Sequence, residues 1–137
     1  MEIDFAKLIK EAICARENAH VPYSHFKVGA ALLCSDGTVF HGCNIENASY
    51  GATNCAERTA IFSAIANGKK DFKALAVVGG KDGEELLPEC MPCGICRQVL
   101  VEFCTREFPV ALGGKDEFKV YKLKDLLPFA FTKDSLD

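Results

Sequence analysis

Two short cysteine motifs, far apart in sequence and each at the start of a helical pattern, constrain this chain more than anything else in it. Cys55-Ala56-Glu57 opens the run CAERTAIFSAIA, and Pro92-Cys93-Gly94-Ile95-Cys96 opens CGICRQVLVEFC. Cys93 and Cys96 at one helix start aim both sulfurs near the first turn. Packing the second helix alongside brings in Cys55. A structural zinc site closes with four protein ligands, whereas a catalytic one keeps a position open for water. Three soft thiolates, with a carboxylate two residues past the first, point to a metal that activates water, and the softness of sulfur favours zinc.

The pattern also has an electrostatic logic. Three thiolates outweigh the charge of one zinc ion and make a bound water less acidic. Two helix N-termini and Arg58 offset part of that excess. Glu57 is the expected proton carrier, accepting a proton from water and delivering it to the substrate. Plainer readings stand beside these. Glu57 also suits the helix dipole, and Arg58 an exposed helix surface. Cys93-x-x-Cys96 also suits a redox pair, or a structural zinc closed by Cys90. None of His20, His25 and His41 pairs with a nearby cysteine.

Composition narrows the substrate. The chain has 137 residues, 49% apolar and 26% charged, which predicts one globular domain over residues 1–137. Its 16 basic and 19 acidic residues give a net charge of −3, with no basic run of the kind that grips a phosphate backbone. A small, nearly neutral substrate fits better than a nucleic-acid polymer. The opening Met1-Glu2-Ile3-Asp4-Phe5 lacks the order of a secretion signal, and no stretch is apolar enough to span a membrane. The eight cysteines therefore predict reduced thiols and metal binding in the cytoplasm. Cys14, Cys34, Cys43 and Cys104 read as small buried hydrophobes, and Cys90 as the one exposed thiol.

Periodicity supplies the frame. Phe5, Leu8, Ile9, Ala12 and Ile13 behind Asp4 predict a helix over 4–18. Strands are expected at 27–34 and 38–43 around the Ser35-Asp36-Gly37 turn, then a polar functional loop over 44–54. Helix 55–66, a central strand at 74–78 and helix 93–104 follow; short strands at 109–112 and 118–121 and a helical turn at 123–127 complete the order. That order implies an α/β fold, a three-layer α/β/α domain on a mixed five-stranded sheet.

With its motifs in view, the chain resembles the small, homotetrameric zinc-dependent cytidine deaminases. The signature, His-x-Glu or its all-cysteine form followed by Pro-Cys-x-x-Cys, is the established mark of zinc nucleobase deaminases. Similarity also covers Tyr23 to Ala30, Asn44 to Tyr50, Cys55 to Ala60 and Cys96 to Leu100. The resemblance implies hydrolysis of free cytidine and 2′-deoxycytidine to uridine and 2′-deoxyuridine plus ammonia, a step of pyrimidine salvage. It implies one Zn²⁺ per subunit on Cys55, Cys93 and Cys96, with Glu57 moving the water's proton to N3 and then helping to protonate the departing amine.

Asn44 and Glu46 match positions that hold the ribose; a polar loop facing water is the plainer reading. Phe26 matches the aromatic against the base, or is a core residue before a strand. Ala56 joins the substrate-binding set, and Ala48 and Tyr50 match positions that reach a neighbouring subunit's site. Phe129 resembles an aromatic that covers a neighbour's pocket, with core packing as the alternative. Rival activities are deamination of a related heterocycle such as blasticidin S, editing of cytosine in nucleic acid, and a non-catalytic zinc-stabilised binding module.

Overall fold

Asp4 starts the first helix as its sequence suggests: the carboxylate accepts from the Lys7 amide at 3.1 Å. This helix, α1, runs Phe5–Arg16 and buries Leu8, Ile9, Ala12 and Ala15. The computed structural model describes residues 2–136. Next come β1 (Phe26–Cys34), β2 (Val39–Cys43), α2 (Ala56–Ala66), β3 (Phe72–Lys81) and α3 (Gly94–Phe103). β4 (Pro109–Gly113), β5 (Phe118–Lys122) and the short α4 (Leu123–Leu126) complete the frame, with 3₁₀ turns at Tyr50–Ala52 and Lys133–Ser135. Among the described residues no helix is long and apolar enough to cross a membrane.

The strands form one mixed sheet in the order β2-β1-β3-β4-β5, antiparallel except for the β3–β4 pair. A parallel pair needs a crossover, and α3 supplies it. Side-chain alternation along β3 sorts two cores. Ala74, Ala76 and Val78 face α1, joined by Ala31 and Ala111; Leu75 and Val77 face α2 and α3, joined by Leu32, Val110 and Leu112. The α1 side is mostly alanine, so α1 lies close to the sheet. A Cβ on Gly29 would fall 2.0 Å from the Ala12 carbonyl oxygen. The opposite side carries the larger side chains and the helices that bear the cysteines.

The three-layer arrangement is the expected one, and element ends move by a few residues. The central strand moves most: β3 has ten residues, although only Ala74 to Val78 form its apolar run. Its flanks pair with β1, Phe26 opposite Lys81 and Cys34 opposite Phe72, and backbone pairing leaves no apolar signature in sequence.

Candidate active site

Cys55 and Cys93 occupy equivalent places. Each is the extended residue before a helix, and neither side chain turns back to cap the helix amides. Cys96 lies in the first turn of α3 and is fully buried. The three sulfurs converge, all within 4.8 Å of one another, with Cys55 to Cys93 at 3.7 Å and Cys93 to Cys96 at 3.5 Å. Two thiolates held tetrahedrally on zinc at Zn–S distances of about 2.3 Å lie about 3.8 Å apart. The donor set therefore fits zinc in both chemistry and spacing. Hydrogen bonds from Cys96, Arg58 and Cys93 outweigh burial and lower the Cys55 thiol to about 5, while the bond to Cys55 and burial push the Cys96 thiol up.

A glycine sets the height of this end of α2. A Cβ on Gly42 would lie 2.2 Å from the Ala56 carbonyl oxygen and 2.5 Å from the Ala60 nitrogen. β2 and the first turn of α2 approach backbone to backbone there, which only glycine permits. Ala56 is fully buried at this contact, and Glu57 follows it, 5% exposed. Burial pushes the Glu57 carboxyl up to about 7, and the negative charge of Cys55 acts in the same direction.

Arg58 lies against the sulfur cluster, not in open solvent. Its Nη2 donates to Cys55 Sγ at 3.3 Å, and its buried Nε has no partner among the described residues. Cys90 does not join the three sulfurs. Two cysteine expectations need correction. Cys90 is buried, because its thiol fills the space over Gly79 next to the Phe26 ring; Cys14 is exposed, on the outer side of α1. Cys34 is buried as expected, while Cys43 and Cys104 are half-buried.

The polar loop runs beside the start of β1. Ile45 pins it through isolated bridges to His20 and Asn54. Asn44 and Glu46 consequently reach the same neighbouring segment. Asn44 Oδ1 accepts from the Val28 amide and its Nδ2 donates to the Phe26 carbonyl, both at 2.8 Å. Glu46 accepts from the Tyr23 and Ser24 amides on one oxygen and from the Ser24 hydroxyl on the other. These bonds, the Ser24 hydroxyl first among them, lower the Glu46 carboxyl below its ordinary range and keep it ionised.

Phe26 is half-buried. His25 before it adopts a left-handed backbone (φ 58°), and its carbonyl accepts from the Asp82 amide at 2.7 Å. Tyr23 and Tyr50 meet edge to face with centroids 6.0 Å apart. With Ser24, Glu46 and Thr53 they line a shallow pocket of 440 Å³. A larger cavity of 640 Å³, lined by Pro88, Glu89, Glu117, Phe118 and Lys119, includes none of the site residues.

Ala48 and Tyr50 are exposed, Tyr50 at 76%. Phe129 is 97% exposed, which removes core packing as its role. Its segment is nevertheless tied down by residues given no role from sequence. Arg97 donates to the carbonyls of Pro92 and Leu126, Arg106 to those of Leu127 and Pro128, and Gln98 to that of Phe131. Ser24 was likewise given no role; its carboxylate partner lies 22 residues away, and only the fold brings them together.

A mixed sheet carrying a three-cysteine metal cluster beside a buried glutamate defines a zinc hydrolase of the deaminase type. Residues 4–112 match the family model described as the cytidine and deoxycytidylate deaminase zinc-binding region, and the chain belongs to that family. It is 53% identical to a cytidine deaminase of Sporosarcina psychrophila over 98% of this chain and 96% of that one. A cytidine deaminase of Halalkalibacterium halodurans is 52% identical over 98% and 99% of the two chains. The crystal structure of cytidine deaminase from Burkholderia pseudomallei superposes with a TM-score of 0.85 at 51% identity, covering 94% of this chain and 100% of the other.

Proposed function

We propose that this protein hydrolytically deaminates free cytidine and 2′-deoxycytidine, releasing ammonia and the matching uridine. The carrying observation is the convergence of the Cys55, Cys93 and Cys96 sulfurs beside the buried Glu57, in a chain so similar to cytidine deaminases. Those three cysteines are the residues that hold zinc. Zinc held there supplies Lewis acidity, which makes water a competent nucleophile near neutral pH.

Glu57 does the proton work. It takes a proton from the attacking water and delivers it to N3 of the base; it then takes the remaining proton from the hydroxyl added at C4 and gives it to the amine, which leaves as ammonia while C4 becomes a carbonyl. Its burial supports this role, because a carboxyl with a raised affinity for protons both accepts and returns one near pH 7. Arg58 offsets part of the negative charge of the three sulfurs, a role its bond to Cys55 supports.

Phe26 supplies a face for the base, and Ala56 lines the substrate pocket. Asn44 and Glu46 hold the sugar. Asn44 Nδ2 keeps one proton beyond its bond to Phe26, and Glu46 keeps an unused lone pair. A hydroxyl both accepts and donates, so one sugar hydroxyl satisfies the two together. The 3′-hydroxyl is common to both nucleosides.

The working form is a cytoplasmic homotetramer with shared active sites, active in pyrimidine salvage. Exposed Ala48, Tyr50 and Phe129 support completion of each pocket by a neighbour, and Phe62, Ile95 and Phe103 on the outer surface of α2 and α3 give an apolar face for assembly. The test is the ultraviolet change of cytidine with purified protein before and after chelation. Turnover of the free nucleoside, its loss on chelation, its return with zinc and no action on a cytosine-containing oligonucleotide are expected. A metal-stripped protein that still turned cytidine over would end this reading.

A further inference from the structure

The hydroxyl of Ser24 stands between the two halves of the nucleoside site. It donates to Glu46 Oε2 at 2.5 Å and accepts from the Phe26 amide at 3.0 Å. A serine hydroxyl has one proton to give, so the direction of both bonds follows. The Ser24 and Tyr23 amides hold the other Glu46 oxygen at 3.1 and 3.0 Å. Asn44 grips the Phe26 carbonyl from the far side. One short loop thus joins the carboxylate that faces the sugar to the backbone of the ring that faces the base.

We propose that Ser24 is a positioning residue for nucleoside binding, its hydroxyl fixing the rotamer of Glu46 and holding it in register with Phe26. This rests on the reading of Glu46 as a sugar-holding group. Without the hydroxyl, Glu46 keeps its backbone partners on Oε1 but Oε2 is free to swing, and the oxygen that meets the sugar loses its place. The lowered proton affinity of Glu46, caused chiefly by Ser24, agrees: the hydroxyl favours the charged carboxylate.

The experiment compares kcat/KM for cytidine with that for 2′,3′-dideoxycytidine, which lacks the hydroxyls Glu46 would hold. Their ratio measures what the enzyme gains from the sugar. Ser24→Ala is expected to lower the ratio about ten-fold, the scale of a hydrogen bond to a charged group. The loss falls mainly on KM for cytidine. Ser24→Thr keeps a hydroxyl and restores most of the ratio. Ser24→Cys, close in shape but a weak donor, repeats the test should the alanine variant fold poorly.

Combined with Glu46→Ala, the serine change is expected to lower the ratio no further. Equal losses on both substrates, with the ratio unchanged, would mean that Ser24 only supports the fold and would overturn the proposal. Glu46→Ala alone separates the two ideas. If it leaves the ratio intact, the sugar reading fails and the Ser24 role goes with it. If it collapses the ratio while Ser24→Ala does not, Ser24 alone is wrong.

Discussion

The metal end and the proposed sugar end of the site are built by opposite means. At the metal end, two helix starts sit on a buried sheet, and Gly42 lets backbone meet backbone. Cys96 and Ala56 are fully buried there and Glu57 nearly so. At the sugar end, an extended strip is held by two isolated bridges and by side chains reaching across to another loop. Tyr50 and Ala48 remain in solvent. Charge in the first region is placed by packing, and in the second by hydrogen bonds between neighbouring loops. The difference teaches where each region is vulnerable: the metal end to changes in volume, the sugar end to the loss of a single donor.

The largest effect is expected from Glu57→Gln, which keeps the volume of the metal end and removes only the proposed proton carrier. Turnover should fall by about 10²–10⁴-fold while metal analysis still finds zinc. Near-normal turnover in that variant would sink the mechanism. Next comes a paired test of volume. Gly42→Ala and Gly29→Ala each force a Cβ against helix backbone, and each is expected to cost about 3 kcal/mol in denaturant unfolding. They differ in consequence. Gly42→Ala displaces the start of α2 and should weaken zinc retention, whereas Gly29→Ala disturbs α1 and should leave the folded protein with its metal. Equal zinc loss in both would show that the metal end has no private dependence on Gly42.

The smallest effect belongs to a surface cluster outside both regions, and it sets the baseline. Glu107 meets Lys124 at 2.7 Å and Lys122 at 2.9 Å, and these bonds hold its carboxyl down to about 2. The ordinary value in an unfolded chain is about 4.3. A lowered carboxyl stabilises the fold above that value and gives the stabilisation up as pH falls towards 2. Glu107→Gln should therefore shift the urea midpoint slightly at pH 7, with a gap that narrows below pH 4. A gap constant across that range would assign it to something other than charge.

The metal end was legible in the sequence because its signal is local. Cys93 and Cys96 lie within one turn, Glu57 lies two residues from Cys55, and α3 carries a clear apolar period. Arg58 was legible for the same reason, three residues from the sulfur it touches. The proposed sugar end rests on resemblance. Asn44 and Glu46 alternate along a strip, but nothing local says that Ser24 will meet Glu46. Arg97, Gln98 and Arg106 were missed on the same grounds, since their partners are backbone carbonyls and any residue supplies one. Cys90 and Cys14 were read the wrong way round because thiol burial depends on the fold around it: Cys90 lies over Gly79, whereas Cys14 is on the exposed side of α1.

The alternation of β3 carries a consequence for how such a chain can change over evolutionary time. Ala74, Ala76 and Val78 serve the thin core and Leu75 and Val77 the thick one. A single inserted or deleted residue between Phe72 and Lys81 would exchange the two sets, leaving α1 against side chains too large for it and the cysteine-bearing helices over a hollow. Length can vary more freely at the exposed turn of Asp82, Gly83 and Glu84, before Leu87 returns to bond Gly79. Descendants of this sequence are free to lengthen or shorten that turn, but are held to a fixed count across the strand before it.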